Sequence, residues 1–360
     1  MSTVDLSRHI GCLGHLAYQA DNSLGRRYNE YDEKWLDGIV GPFVIDAKIV
    51  DESKAVRRQR RKTQVFTGTV NSHMRDRDVH AREVISNAVI MASILGLNPE
   101  MCRVGAIAHD CCHLPGGHPA ERILSRLSGR KIKHNRLFCV IGQHVERKGQ
   151  GLPLLFETYE IVLFHSADEH IRPVKILPKE YFLLAFADTA AFITADPEDA
   201  VKRMRFISPA DFPPEFWVMG NTQRERQRYI VSRLVKESAR DGRVSFTDEA
   251  FEVTKRWMYE HLYYPANSIA FADALERTYA FVATSTIFEG CDPVLVIALM
   301  IDDDVMHLDR ILQLGRGPEI RDFEDRGFWE LVPGIRGREI DLENPDLDWG
   351  LERWQNRNRE

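Results

Sequence analysis

The stretch His109-Asp110-Cys111-Cys112-His113-Leu114-Pro115-Gly116-Gly117-His118-Pro119-Ala120-Glu121 constrains this chain more than any other. It crowds imidazoles, carboxylates and thiols around a Pro/Gly turn. The residues before it, Pro99 to Ala108, read as a helix: Asn98 suits the cap, Pro99 the first position, and Met101, Val104, Ala108 and Cys111 recur at helical spacing. His109 and Asp110 therefore end a buried helix. An unpaired carboxylate there adds negative charge to the negative end of the macrodipole, in a medium of low dielectric. A bound cation removes that cost. The bland alternative is a polar helix end with solvated histidines.

A second stretch carries a similar conflict. Tyr181 to Ala195 reads as an apolar helix whose only charge is Asp188. A lone carboxylate amid that much apolar surface must be neutral, paired or bound to metal. From Asp78 to about Leu95 another helix carries the stripe Val84, Ile85, Ala88, Val89 and Ala92, with His80 one turn upstream on the same side. Further helices are expected over Lys131 to Gln143, Pro153 to Asp168, Asn221 to Asp241, Phe246 to Tyr264, Ser268 to Phe288 and Val294 to Leu314. Phe43 to Val50 reads as a short strand, Asp37 to Pro42 and Pro209 to Pro214 as loops, and Thr63 to Arg75 leads through a Gly/Thr/Asn/Ser loop. Strand signals are few, so the fold class is mainly α.

At 360 residues the chain can bury a sizeable core. The expected division is an N-terminal segment over 1–52, a core over 53–200, helices packed on it over 201–314, and a polar tail over 315–360. That tail, rich in Asp, Glu, Arg, Trp and Gly, reads as a peripheral extension that contacts a sister subunit or is partly disordered. A formal charge of −6 argues against general coating of nucleic acid. The run from Lys54 to Lys62 holds Lys54, Arg57, Arg58, Arg60, Arg61 and Lys62, and fits either a solvated helix face or a phosphate contact, so nucleic-acid binding is secondary. Met1 to Ala20 lacks the apolar core of a signal peptide, and no long uncharged apolar run suggests a membrane span. The six cysteines have no framework spacing, which points to free thiols and a cytoplasmic protein.

His80, His109, Asp110 and Asp188, from three helices, supply two imidazoles and two carboxylates. That set suits one borderline-to-hard divalent ion per site, Mn, Mg or Fe with Zn also accommodated, and leaves positions for water and substrate. His118 and Glu121 stand three apart, on one face if helical, so a carboxylate can orient an imidazole acting as general acid or base. Arg75 and Arg77 lead into the His80 helix, placed to neutralise phosphate charge.

The series His80 … His109-Asp110 … Asp188 resembles the HD-domain metal phosphohydrolases, and within them the dGTPase-like deoxynucleoside triphosphate triphosphohydrolases. Members carry F-R-R-L-Q-R-K-T-Q-V-F, here Val56-Arg57-Arg58-Gln59-Arg60-Arg61-Lys62-Thr63-Gln64-Val65-Phe66. They follow it with R-x-R-x-x-H, here Arg75 to His80. Of H-D-L-G-H-P-P-F-G-H-A-G-E this chain keeps His109, Asp110, His113, Pro115, Gly117, His118 and Glu121. The later A-D-D-I-A-Y…D stands as Ala187-Asp188-Thr189-Ala190-Ala191-Phe192, with Asp196 at the last Asp. The resemblance covers about residues 40 to 200.

It implies an HD-domain helical bundle with additional C-terminal helices, and a metal held by His80, His109, Asp110 and Asp188. It also implies that His118, supported by Glu121, serves the attack of water on the α-phosphate of a dNTP, releasing deoxynucleoside and tripolyphosphate. Arg77 would contact phosphates, Gln64 and Asp196 the sugar 3′-hydroxyl, and His113, His134, His165 and Phe192 would line the site. Relatives assemble, so a homo-oligomer, a hexamer or a tetramer, is expected. Departures are Phe192 for Tyr, Thr189 for the second Asp, and Cys111, Cys112, Leu114 and Gly116 for Leu, Gly, Pro and Phe. Two other readings stay open: an HD phosphohydrolase acting on a monophosphate, an alarmone or a nucleic-acid end, and an inactive nucleotide-binding regulator.

Overall fold

The first regular element departs from the sequence expectation. Residues 43–50 lie inside helix α1 (Pro42–Asp51), not a strand. Pro42 at the first turn presets helical φ, and tertiary burial of Phe43, Ile45, Ala47, Ile49 and Val50 against the core outweighs the β-propensity of the run. A computed structural model of the protein describes residues 5–67, 71–166, 177–263 and 269–358. Among these, only isolated bridges stand in for strands, and the fold is a helical bundle.

The basic run forms the short helix α2 (Lys54–Gln59). Its charges mostly pair within the chain: Lys54 with Glu330, Arg58 with Glu146, Arg60 with Asp78 and Arg61 with Asp303. Lys62 is buried, and burial pushes its ammonium down to about 7. The run ties the fold together more than it offers a basic face.

Three helices build the centre. Asp76 caps α3 (Arg77–Leu95) at the Val79 N–H, and Gly96, at φ +80°, ends it. Asn98 caps α4 (Pro99–Ala108) through the Glu100 and Met101 N–H groups. Then come α5 (His118–Ser128), α6 (His134–His144), α7 (Phe156–Phe164) and α8 (Lys179–Glu198). α3 packs on α4 and α8, which brings Asp188 across to the His109-Asp110 end of α4. Gly105 of α4 lies so close to α7 and α8 that a Cβ would stand 2.8 Å from Leu184 and 2.9 Å from Ile161.

Beyond the π-helical turn at Asp199–Arg203 lie α9 (Pro214–Met219), α10 (Gln223–Asp241) and α11 (Glu249–Met258), which runs into a second π-helical turn, Tyr259–Tyr263. Helix therefore starts at Pro214, inside the end of the expected loop. α12 (Ile269–Thr284) follows. Parts of the expected helices near Asp168, Tyr264 and Ser268, and residues 68–70 of the loop before Arg75, fall outside the described residues.

The single helix expected over Val294 to Leu314 is two, α13 (Pro293–Ala298) and α14 (Asp302–Gln313). Asp302 interrupts it because its carboxylate is used elsewhere: it accepts from Thr63 N and Oγ1 and from Gly116 N. Asp304 Oδ2 then accepts the Ile301 N–H at 2.9 Å and caps the new helix.

The described part of the tail, residues 315–358, packs on the body and carries α15 (Val332–Ile335) and α16 (Asp348–Arg357). Phe323, Phe328, Leu331, Val332, Ile335, Leu342 and Leu347 are buried in the main core. Its polar composition hid these sparse apolar anchors. Arg353 donates to the Leu24 and Arg26 carbonyls at 3.0 and 2.8 Å, and a Cβ on Gly350 would overlap Phe156, so α16 clamps the N-terminal segment to α7. Phe328→Ala should therefore cost about 3–5 kcal/mol, the range for a buried Phe. Urea denaturation with an unchanged slope checks this, and a loss below about 1 kcal/mol would return the tail to the surface.

Candidate metal centre

Four side chains converge where α3, α4 and α8 meet. His80 Nε2 lies 2.9 Å from Asp188 Oδ1, and His109 Nε2 lies 3.7 Å from the same oxygen. Asp110 Oδ2 stands 3.6 Å from His109 Nε2 and 4.0 Å from His80 Nε2. Ligands around a cation with bonds of about 2.1 Å are separated by about 3 Å when adjacent and about 4.2 Å when opposite, so the spacing fits. The donor chemistry fits as well. His109 Nδ1 meets the Ala106 carbonyl at 2.8 Å, which only accepts, so the lone pair sits on Nε2. That Nε2 is buried without a hydrogen-bond partner, a cost that coordination removes. His80, His109 and Asp110 can thus hold one divalent cation, with Asp188 beside the two imidazoles.

The Asp110 carboxylate faces two ways. Oδ2 looks toward the cluster and accepts from Arg77 Nη1, while Oδ1 stands 3.4 Å from His113 Nε2 and 3.7 Å from His134 Nε2. Burial alone would raise this carboxyl, but Arg77, His109 and His113 hold it well below the usual range. Arg77 is buried and also donates to the Thr63 carbonyl at 3.1 Å. Arg75 is committed elsewhere, to Asp199 at 2.8 Å, Asp196 at 3.0 Å and Glu83 at 3.3 Å, so it is not free for the phosphate role expected of it.

A second group lies beside the first. His118, His113, Glu121 and His134 bring one possible ligand atom each within 4.8 Å of one another. Glu121 Oε1 accepts from the His134 backbone N–H at 3.0 Å and meets ring Nδ1 at 2.5 Å. Oε2 is 3.6 Å from His118 Nδ1, so Glu121 serves two histidines and holds His134 the closer. Burial would raise the Glu121 carboxyl, yet His134 and His118 keep it well below its ordinary value. His113 stacks on His134 at 3.7 Å, and burial with Arg77 and His134 nearby pushes its imidazole well down. His165 Nδ1 meets the Val162 carbonyl and Nε2 meets His134 Nε2 at 3.1 Å; burial and His134 push it down to about 3. The His118 side chain is 61 % exposed, turned into a cavity of about 880 Å³.

Gln64, Arg77, His134, His165, Phe192 and Asp196 line that cavity with His80, Asp110, Asp188, His118 and Glu121, while His109 and His113 stand behind its wall. Sequence reasoning missed Lys133 and Arg122 on the same wall, and the aromatic side built from Phe186, Phe246, Phe251, Tyr259, Tyr263 and Phe271. It also missed the brace under the metal-side turn: Lys62 Nζ donates to the His113 and Ala298 carbonyls, and Asp302 holds Gly116 N at 3.0 Å. No local signal marks these, because the partners lie far apart in sequence. Of the departures from the family pattern, Cys111 and Cys112 are buried in the core and do not line the cavity. Thr189 turns its hydroxyl back on the Ala185 carbonyl at 3.1 Å. At Gly116 a Cβ would stand 2.4 Å from the Phe271 ring, so an aromatic ring from α12 occupies the space a Phe at 116 would fill.

Residues 77–192 match the HD domain family. The deoxyguanosinetriphosphate triphosphohydrolase-like protein of Clostridium perfringens is 30% identical over 261 residues, 70% of this chain and 74% of the relative. The protein of that description from Caldanaerobacter subterraneus is 30% identical over 225 residues, 61% of this chain and 65% of the relative. That from Leptospira interrogans serovar Lai is 31% identical over 205 residues, 54% of this chain and 53% of the relative. HD domains bind divalent metals, and here the clustered His80, His109 and Asp110 could hold one. With the domain match and these alignments in agreement, the chain belongs to the deoxyguanosinetriphosphate triphosphohydrolase-like family of HD-domain phosphohydrolases.

Proposed function

We propose that the protein hydrolyses deoxynucleoside triphosphates to deoxynucleoside and tripolyphosphate. The observation that carries this reading is one cavity lined together by His80, Asp110 and Asp188, by His118, Glu121 and His134, and by Gln64 and Asp196. A divalent ion held by His80, His109, Asp110 and Asp188 would act as a Lewis acid on the α-phosphoryl group and favour ionisation of water.

The chain's own residues supply the rest. Arg77, Arg122 and Lys133 border the cavity and would hold the triphosphate by charge. Water attacks the α-phosphorus while the bond to O5′ breaks. The water gives up one proton, and O5′ takes one as the deoxynucleoside leaves. His118, with Nδ1 facing Glu121 at 3.6 Å, would carry that proton at Nε2. Glu121 and His134 fix each other, which keeps the carboxylate ionised and the His118 side of the cavity in register.

Incubation of the protein and Mn with each dNTP tests this. Tripolyphosphate and deoxynucleoside are the expected products. Pyrophosphate with a dNMP, or inorganic phosphate, would replace this reading by the broader phosphohydrolase one.

A further inference from the structure

A hydroxyl in the cavity has a role that no motif assigns. Tyr263, on the π-helical turn after α11, donates its phenol proton to Asp196 Oδ2 at 2.7 Å. The other Asp196 oxygen takes Arg75 Nη2 at 3.0 Å, so the carboxylate is pinned from both sides. Burial raises the Asp196 carboxyl to about 6 against the pull of Arg75, so above that pH it is ionised and only accepts, the phenol proton is committed, and the lone pairs of the Tyr263 oxygen are left to accept. Burial and the Asp196 charge push the phenol well above its ordinary value, so it stays protonated. The Tyr263 and Phe192 rings meet edge-on at 5.8 Å, and both line the cavity with Asp196 and Gln64. Gln64 Oε1 is itself buried without a hydrogen-bond partner. Position 192 carries no hydroxyl of its own, and Tyr263 sets one against its ring. The same relocation holds at Gly116, where Phe271 brings a ring in from another helix.

Resting on the nucleotide reading above, we propose that Tyr263 is a sugar-recognising residue: its phenol oxygen, aimed by Asp196, accepts a hydrogen bond from the 3′-hydroxyl of the deoxyribose, whose oxygen accepts in turn from the Gln64 side-chain N–H. Phe192 then serves as an apolar wall beside the sugar, and the polar contact comes from the C-terminal helices. The bland rival is that Tyr263 only anchors Asp196.

The test compares dGTP with its 2′,3′-dideoxy counterpart, ddGTP, by equilibrium binding in the presence of Mn and, separately, by product release. Wild-type protein is expected to bind dGTP more tightly. Tyr263→Phe, which keeps the ring, should weaken dGTP binding about five- to tenfold, the effect of one lost hydrogen bond, and leave ddGTP binding unchanged. Equal weakening of both ligands would make Tyr263 an anchor and overturn the proposal. Should that variant fail to fold, the 3′-fluoro analogue on wild type decides. It accepts but cannot donate, so it must bind as weakly as ddGTP; binding as tight as dGTP overturns the proposal. Wild type that prefers dGTP to ddGTP yet releases no tripolyphosphate sustains the sugar contact and sinks the reaction proposed above. Equal wild-type binding of the two sinks the sugar contact whatever the reaction.

Discussion

Asp110→Ala should lose bound metal and turnover together, with turnover falling on the order of 10⁴-fold or to background. The carboxylate faces both halves of the site, with Oδ2 beside His80 and His109 and Oδ1 beside His113 and His134. Removing it takes a ligand from the cluster and leaves the Arg77 guanidinium buried opposite a row of imidazoles. Loss of Lewis-acid stabilisation amounts to several kcal/mol, and about 1.4 kcal/mol is a factor of ten in rate. Because an uncompensated buried cation can also unfold a protein, Asp110→Asn is the companion variant. It keeps the shape and an acceptor for Arg77 while removing the charge that a divalent ion requires. Metal analysis beside turnover and a melting curve separates the outcomes. A folded Asp110→Asn protein with a full complement of metal and normal rate would remove Asp110 from the centre.

The second large effect is expected at His118. His118→Ala should keep its metal and bind nucleotide nearly as before, while the rate falls on the order of 10²–10⁴-fold, the usual contribution of a positioned acid or base. The side chain supports that split, because it is mostly exposed to the cavity and its Nδ1 faces Glu121. Glu121→Gln should fall less, since the proton carrier remains. It will not be silent, because the same carboxylate meets His134 Nδ1 at 2.5 Å. Loss of metal in His118→Ala would instead assign His118 to the neighbouring group of His113, Glu121 and His134, whose atoms are close enough to share a cation. An unchanged rate would leave the reaction without a protein base at this position.

The helices that carry the centre were legible because their signals are local. Asn98 and Pro99 mark the start of α4, the observed helix ends at Ala108 as its spacing predicts, and the apolar stripe of α3 places His80 toward the interior. The isolated Asp188 of α8 announced a partner, and His80 stands beside it. What was not legible depends on chain segments meeting across long separations. Arg75 looked like a phosphate ligand because nothing nearby in sequence names Asp196 and Asp199 as its partners. Asp302 fell inside the single helix expected over Val294 to Leu314, yet its role is to accept from Thr63 and Gly116. The strand expected over 43–50 failed for the same reason, since its β-branched residues are chosen for a buried helix face and not for a pleat.

The brace under the metal-side turn sets an order of events in synthesis. Every side chain of the His/Asp cluster has been made once residue 188 is added, but the turn that follows His109 and Asp110 hangs from Lys62 and Asp302, and Lys62 in turn hangs on the Ala298 carbonyl. A ribosome releases Lys62 and the ligands well before it releases Ala298 and Asp302, which complete the brace under that turn. The turn beside the centre is therefore the part that waits for the C-terminal helices, and a nascent chain carries the ligands before it carries the full brace under the turn that follows them.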